Sequence, residues 1–184
     1  MKTYKVGILG AGSIAHAMAT TLERMEGAEP YAVASRSYDK ACGFAGQHNI
    51  ARAYGSYEEM LDDPEVDLVY VATPHSHHYL HAHMCIEHGK PVLCEKAFTA
   101  NLRQAEALLK FAHEKNVFIT EAIWTRYMPF TKIINAMVND GTIGRPMTLT
   151  AHLSYAIADK ERIRKPELAG GALLDIGVYN LNFA

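Results

Sequence analysis

A short, mostly apolar run, Tyr4–Leu9 (YKVGIL), meets Gly10-Ala11-Gly12-Ser13-Ile14-Ala15, and a helical pattern follows. No other stretch narrows the fold as much. A strand that feeds a G-x-G-x-x-A turn at the mouth of a helix opens a parallel α/β sheet. The first glycine allows the tight turn, the second lets backbone approach an anion, and a small third residue lets helix and strand pack closely. The helix N-terminus adds free N–H groups and the positive end of a dipole. The pattern points to the pyrophosphate of a dinucleotide, held by Gly10, Gly12, Ser13 and Ile14. A lone glycine pattern is weak, but here the strand before it and the helix after it supply the context it requires.

The rest of the first two thirds repeats that unit. Apolar positions Ile14, Met18 and Leu22 place the first helix over residues 14–25. A second strand at 29–35 follows, then a helix at 39–47 with Asp39 as its N-cap. A third strand is expected at 51–54. Ser56-Tyr57-Glu58-Glu59 forms a capping box and opens a short helix to 62. Strands at 66–72, 91–94 and 117–123 are separated by a His-rich helix ending near Gly89 and by a helix at 102–115 capped by Asn101. Strands alternating with helices imply a doubly wound parallel sheet, with ligands bound beyond the carboxyl ends of the strands. The unusual residues Gly10, Arg36, Thr73-Pro74, Glu95-Lys96 and Trp124 all fall at such ends.

After Trp124 the alternation stops. A helix is expected at 130–138, closed by Gly141 and Gly144. The run MTLTAHLSYAI at 147–157 reads as the first strand of a second sheet, 159–168 as a charged loop, and 172–184 as an apolar helix. The expected organisation is a dinucleotide-binding domain over 1–124 and the start of a second, α+β domain over 125–184. A lone first strand has no partner, so the chain reads as part of a larger protein.

Composition excludes several classes. With 184 residues, 49% hydrophobic and 21% charged, and a net charge of −2, the chain is globular and offers no basic footprint for nucleic acid or a membrane surface. No apolar run reaches the ~18 residues of a membrane span. The N-terminus runs straight into a strand, and Cys42, Cys85 and Cys94 lack C-x-x-C spacing, so they read as free thiols of a cytoplasmic protein.

Strand two ends on Ser35-Arg36-Ser37, where an NAD-binding chain would carry an acidic residue for the ribose. An arginine there suits a 2′-phosphate and favours NADP over NAD. Lys96, at a strand end near the expected nicotinamide, could depress a neighbour's pKa or hold an alkoxide. Asp175 and Tyr179 share a helix face at i, i+4. A tyrosine of pKa ~10 needs a nearby cation such as Lys96 to act as a base. His75, His77, His78, His81 and His83 crowd one stretch without a third metal ligand at a matching spacing. They read as a solvated helix face and no metal is expected, although His78 could touch the cofactor.

Together VGILGAGSIA, VATPHSHH, VLCEKAF and GGALLDIGVYNL resemble the Gfo/Idh/MocA oxidoreductase family, over the whole chain. ASRS, AIWTRYMP and GGALLDIGVY are similar to its dimeric dihydrodiol dehydrogenase branch, also known as NADP-dependent D-xylose dehydrogenase. The resemblance implies a Rossmann domain followed by an open-sheet domain, and a homodimer or higher homo-oligomer at full length. It puts Lys96 beside the nicotinamide ribose and substrate, with Ala97 where the family has proline. Tyr179 becomes the acid/base and Asp175 its companion, where many relatives carry D-x-x-x-H. His75 stands where the family has asparagine. Glu95, Thr73, Pro74, His78, Trp124 and Arg126 fall near the nicotinamide. The implied activity is hydride transfer between NADP and a secondary alcohol or sugar. Two alternatives are a glycosidase using transient nicotinamide oxidation and a non-catalytic nucleotide-binding protein.

Overall fold

The computed structural model describes residues 2–184. At its centre is a six-stranded sheet in the order β3-β2-β1-β4-β5-β6. The strands are β1 (Tyr4–Leu9), β2 (Ala28–Ala34), β3 (Arg52–Tyr54), β4 (Leu68–Val71), β5 (Val92–Cys94) and β6 (Ile119–Glu121), and every neighbouring pair is parallel. Helices α1 (Ser13–Leu22), α2 (Tyr38–Gln47), α3 (Tyr57–Leu61), α4 (His75–Glu87) and α5 (Leu102–Lys115) make the crossovers. The order reverses between β1 and β4, which opens a crevice beyond their carboxyl ends.

Both faces of the sheet are covered because side chains alternate along each strand. Ile8, Val33 and Tyr70 pack with Ala15 and Ala19 of α1 and with Ala41 and Phe44 of α2. Leu9, Ala34, Val69, Val71 and Val92 point the other way, onto Ala82, Cys85 and Ile86 of α4 and Leu108 and Ala112 of α5. Each large aliphatic side chain so buried stabilises the fold by about 1.5–3 kcal/mol.

The expected caps at Asn101 and Ser56 form, accepting from Gln104 N at 3.0 Å and Glu59 N at 3.2 Å. The cap of α2 is Ser37, not Asp39; Ser37 accepts from Lys40 N, and Asp39 lies in the first turn, where its charge favours the dipole. The first helix stops at Leu22, short of 25, because Arg24 N and Met25 N turn back to Thr21 O and Leu22 O in a tightened last turn.

The larger differences come after β6. A 3₁₀ turn, Trp124–Tyr127, leads into α6 (Pro129–Asn139), which buries no residue. The run at 147–157 forms no strand, and the expected second sheet is absent among the described residues. It remains an alternating segment, with Ala151, Leu153 and Ile157 half-buried and Thr150, His152 and Ser154 exposed. A β-prone sequence without a hydrogen-bonding neighbour has no ladder to join. The charged stretch at 159–168 is not a plain loop: it holds α7 (Glu161–Arg164) and the 3₁₀ turn Pro166–Leu168. The expected single helix at 172–184 is a π-helical turn, Leu173–Gly177, followed by α8 (Val178–Phe183).

Candidate active site

The turn after β1 is built around two glycines with different duties. Gly10 has φ +103, and a Cβ there would sit 3.0 Å from Ala72 O and 3.1 Å from Thr73 Cγ2. Gly12 caps α1 without a side-chain hydrogen bond, and a Cβ on it would meet nothing nearer than Ala72 O at 4.0 Å. The first N–H groups of α1 lack intrahelical partners, and the place a Gly12 side chain would take beside them is open, which suits a pyrophosphate. Arg36 is exposed just past β2. Beside it Ser35 is buried and accepts from Ser37 N at 3.4 Å.

From this turn a cavity of about 690 Å³ runs along the carboxyl ends of the strands. Gly12, Ser13, Ile14, Thr73, Pro74 and Glu95 border it, as do Lys96, Trp124, Asp175 and Tyr179. Elements far apart in the chain thus converge on one place. Gly10, Ser35, Arg36, Ser37 and Arg126 do not line this cavity. Arg126 is exposed and its guanidinium lies beside the side-chain amide of Asn182.

Lys96, following β5, is the hub. Its Nζ donates to the backbone oxygen of Asp175, and to Asp175 Oδ1 at 3.3 Å. The same Nζ lies 4.9 Å from the centroid of the Tyr179 ring, a cation–π distance. Tyr179 Oη accepts from Trp124 Nε1 at 3.1 Å. Burial pushes the Tyr179 phenol above its usual value, with the charges of Glu95 and Asp175 adding to the rise and the Trp124 bond opposing it. Burial alone would raise Asp175 too, but Arg162 and Lys96 hold its carboxyl below the ordinary carboxylate range. Glu95 is raised by burial while accepting from the buried Tyr70 hydroxyl.

The histidines are not the solvated face expected. His78 is fully buried, with Nδ1 2.7 Å from Ala97 O and Nε2 2.8 Å from Thr73 O. It ties the loops after β4 and β5 together, and burial pushes its pKa down to about 4. His75 is also buried, 3.3 Å from Ala169 O through Nδ1. His81 bonds Thr73 Oγ1 at 2.9 Å and stacks on His77. These rings turn inward because α4 packs beside the sheet; a neutral His78 has one N–H and donates to one of its two carbonyl neighbours, while His75 and His81 meet Ala169 O and the Thr73 hydroxyl. Among the described residues no cluster of three or more His, Cys, Asp or Glu could hold a metal ion. No helix among the described residues is long and apolar enough to cross a membrane.

Sequence reasoning missed Arg162, Leu153, Tyr155, Ile157 and Thr125, all of which border the cavity. Leu153, Tyr155 and Ile157 carried a usable signal in their alternation. The Thr125 hydroxyl is buried without a hydrogen-bond partner among the described residues. Arg162 carried no signal of its own.

The model of the GFO/IDH/MocA oxidoreductase family, NAD-binding Rossmann fold, matches residues 4–122. That of the GFO/IDH/MocA C-terminal domain matches residues 131–184. The chain belongs to the GFO/IDH/MocA family. Among its GFO/IDH/MocA relatives is trans-1,2-dihydrobenzene-1,2-diol dehydrogenase of Danio rerio, 38% identical over 96% of this chain and 54% of the relative. Another is D-xylose 1-dehydrogenase (NADP(+)) of Hypocrea jecorina, 41% identical over 98% of this chain and 52% of the relative. The chain spans about half the length of the curated relatives it matches. Among solved structures, a 3-ketoreductase from Actinomadura kijaniata in complex with NADP matches with a TM-score of 0.71 and 30% identity, over 78% of this chain and 46% of that one. An NAD binding oxidoreductase from Klebsiella pneumoniae matches with a TM-score of 0.82 and 26% identity, over 98% of this chain and 52% of that one.

Proposed function

We propose that the protein is an NADP-dependent dehydrogenase acting on a secondary alcohol or a sugar hemiacetal. The observation that carries this reading is the convergence of Lys96, Asp175 and Tyr179 on one cavity that also reaches Gly12 and Ser13 at the start of α1. When bound, the nicotinamide supplies the hydride acceptor. The chain's own residues manage the proton: Tyr179 Oη takes it from the substrate hydroxyl during oxidation and returns it during reduction. Lys96, 4.9 Å from the tyrosine ring, favours the phenolate and steadies a developing alkoxide. Asp175 holds Lys96 through both its backbone and side-chain oxygens.

Arg36 supports NADP over NAD, because its guanidinium stands past β2 in place of a carboxylate and suits a 2′-phosphate. The names of the Hypocrea jecorina and Danio rerio relatives favour aldoses and trans-dihydrodiols as the first substrates to try. The experiment is Tyr179→Phe, assayed on that panel. Acid/base help is worth about 10²–10⁴ in rate, so turnover should fall by that factor while NADP affinity stays within about twofold. Equal losses of turnover and affinity would sink the role given to Tyr179.

A further inference from the structure

Arg162 comes from a stretch of alternating charge, yet it reaches the middle of the site. Its Nη1 donates to Asp175 Oδ1. That one oxygen also accepts from Lys96 Nζ at 3.3 Å and lies 3.9 Å from His75 Nε2. The Asp175 side chain is only 6% exposed and that of Arg162 is 45% exposed, so a sealed carboxylate is met from the rim by a guanidinium.

Two cations thus share one buried carboxylate. Were Lys96 its sole cationic partner, the pair would be neutral, and the field of the ammonium at Tyr179 would be largely cancelled by the adjacent negative charge. With Arg162 present, the trio of Lys96, Arg162 and Asp175 carries a net positive charge next to the phenol. The groups facing Tyr179 make this matter. Lys96 and Glu95 approach from the end of β5, Asp175 from the preceding π-helical turn, Tyr155 from the alternating segment, and Trp124 from the 3₁₀ turn. Tyr70 of β4 gives its hydroxyl to Glu95, and His75 of α4 faces Asp175. Of the two carboxylates that oppose a phenolate, Glu95 has the Tyr70 hydroxyl, and Asp175 has Arg162.

The chain also builds the loop that carries Arg162 with care. A Cβ on Gly170 would fall 2.6 Å from Ile163 O and 2.8 Å from both Arg162 O and Lys165 O, all backbone atoms. Gly171 N donates to Ile163 O at 2.9 Å, and His75 Nδ1 lies 3.3 Å from Ala169 O. The loop from α7 to the π-helical turn therefore closes on itself and lies against α4, with Arg162 directed at Asp175.

We infer that Arg162 is a positioning residue for proton transfer at Tyr179: by answering the charge of Asp175, it leaves Lys96 free to act on the phenol. This rests on the acid/base role proposed for Tyr179. It acts through Asp175 and needs no contact with substrate.

The test uses the full chain and a titration that needs no nucleotide. Tyrosines are carbon-labelled at the ring position bearing the hydroxyl, and the Tyr179 resonance is assigned by its loss in Tyr179→Phe. In Arg162→Gln the Tyr179 pKa should rise by about one unit, leaving roughly tenfold less tyrosinate at a given pH. Arg162→Lys should restore most of the shift. The acid limb of the oxidation rate should move to higher pH in the same order, while NADP affinity, the check on folding, stays within about twofold. In an Asp175→Asn background the carboxylate that holds the half-exposed Arg162 against the site is gone, so Arg162→Gln should move Tyr179 by much less than it does in the parent. An unmoved Tyr179 titration in Arg162→Gln, or an equal shift in the Asp175→Asn background, overturns the inference alone, provided Tyr179→Phe lowers turnover by the factor expected above. Retained turnover in Tyr179→Phe overturns both this inference and the acid/base reading beneath it.

Discussion

Replacing each glycine of the first turn by alanine should separate folding from nucleotide binding. At Gly10 an alanine is doubly penalised. Its φ of +103 lies where side chains are strained, which costs of order 1–3 kcal/mol. Its methyl would also press on Ala72 O at 3.0 Å, backbone that cannot rotate away. Together these should destabilise the chain by about 2–4 kcal/mol. At Gly12 neither penalty applies. Its φ −96 and ψ −176 are ordinary for alanine, and the nearest atom to a Cβ is 4.0 Å away. Alanine is a poorer N-cap than glycine by roughly 0.5–1 kcal/mol, but it also loses about 0.4–1 kcal/mol less entropy on folding. The net change should stay within ~0.5 kcal/mol.

Binding should respond in the opposite sense. The Gly12→Ala methyl enters the open space at the start of α1 that the pyrophosphate would take. Losing one or two charge-assisted hydrogen bonds, at about 1.5–3 kcal/mol each, weakens NADP at least about tenfold. Urea unfolding and a fluorescence titration with NADP on both variants give the two readings. If Gly12→Ala unfolds as early as Gly10→Ala, or binds NADP as the parent does, the division of labour between the two glycines is wrong.

Arg36→Ala should lower the preference for NADP over NAD by about ten- to a hundredfold, the worth of one charge-assisted contact; titration with both nucleotides checks it, and an unchanged ratio removes Arg36 from the 2′-phosphate. His78 makes a prediction about acid. Its pKa falls from an ordinary 6.5 to about 4 in the folded chain, so the unfolded chain binds the extra proton between those values. Its contribution is present above pH 6.5 and is lost as pH falls towards 4, to the extent of about 3 kcal/mol. Urea midpoints near pH 7 and pH 4.5 should therefore separate more in the parent than in His78→Gln, and equal separations would refute this.

The Rossmann half was legible because its signals are local. Asn101 and Ser56 announce their helices by a side chain that can accept an N–H three residues on, and both bonds form. The apolar runs in β1 and β4 read as strands because both sheet faces are covered, leaving little room for polar positions. The same logic misreads 147–157. Its alternation is that of a half-buried strand, yet only Ala151, Leu153 and Ile157 turn to the interior, while Met147, Leu149 and Tyr155 of the same face stay exposed. A strand, however, is a relation between two segments, and one segment's sequence does not contain the other.

The candidate site divides in the same way. Lys96, Asp175 and Tyr179 are candidates by residue type and by place, at a strand end or on a helix behind two glycines, and it is the family resemblance that singles them out. His75 and Arg162 do not, because what qualifies them is burial against something distant in sequence. In E-R-I-R-K the natural reading of every charge is solvation, and only the closing of the loop turns one of the two arginines inward. The readable trace of that closure is Gly170. Three carbonyl oxygens converge within 2.8 Å of where its Cβ would be, so the chain can carry no side chain there. The Gly-Gly pair ahead of Asp175 implies close approach of backbone, and the backbone that approaches is the protein's own, from the loop that delivers Arg162. A glycine pair beside a candidate catalytic helix is thus a reason to search the preceding charged loop for the residue it carries in.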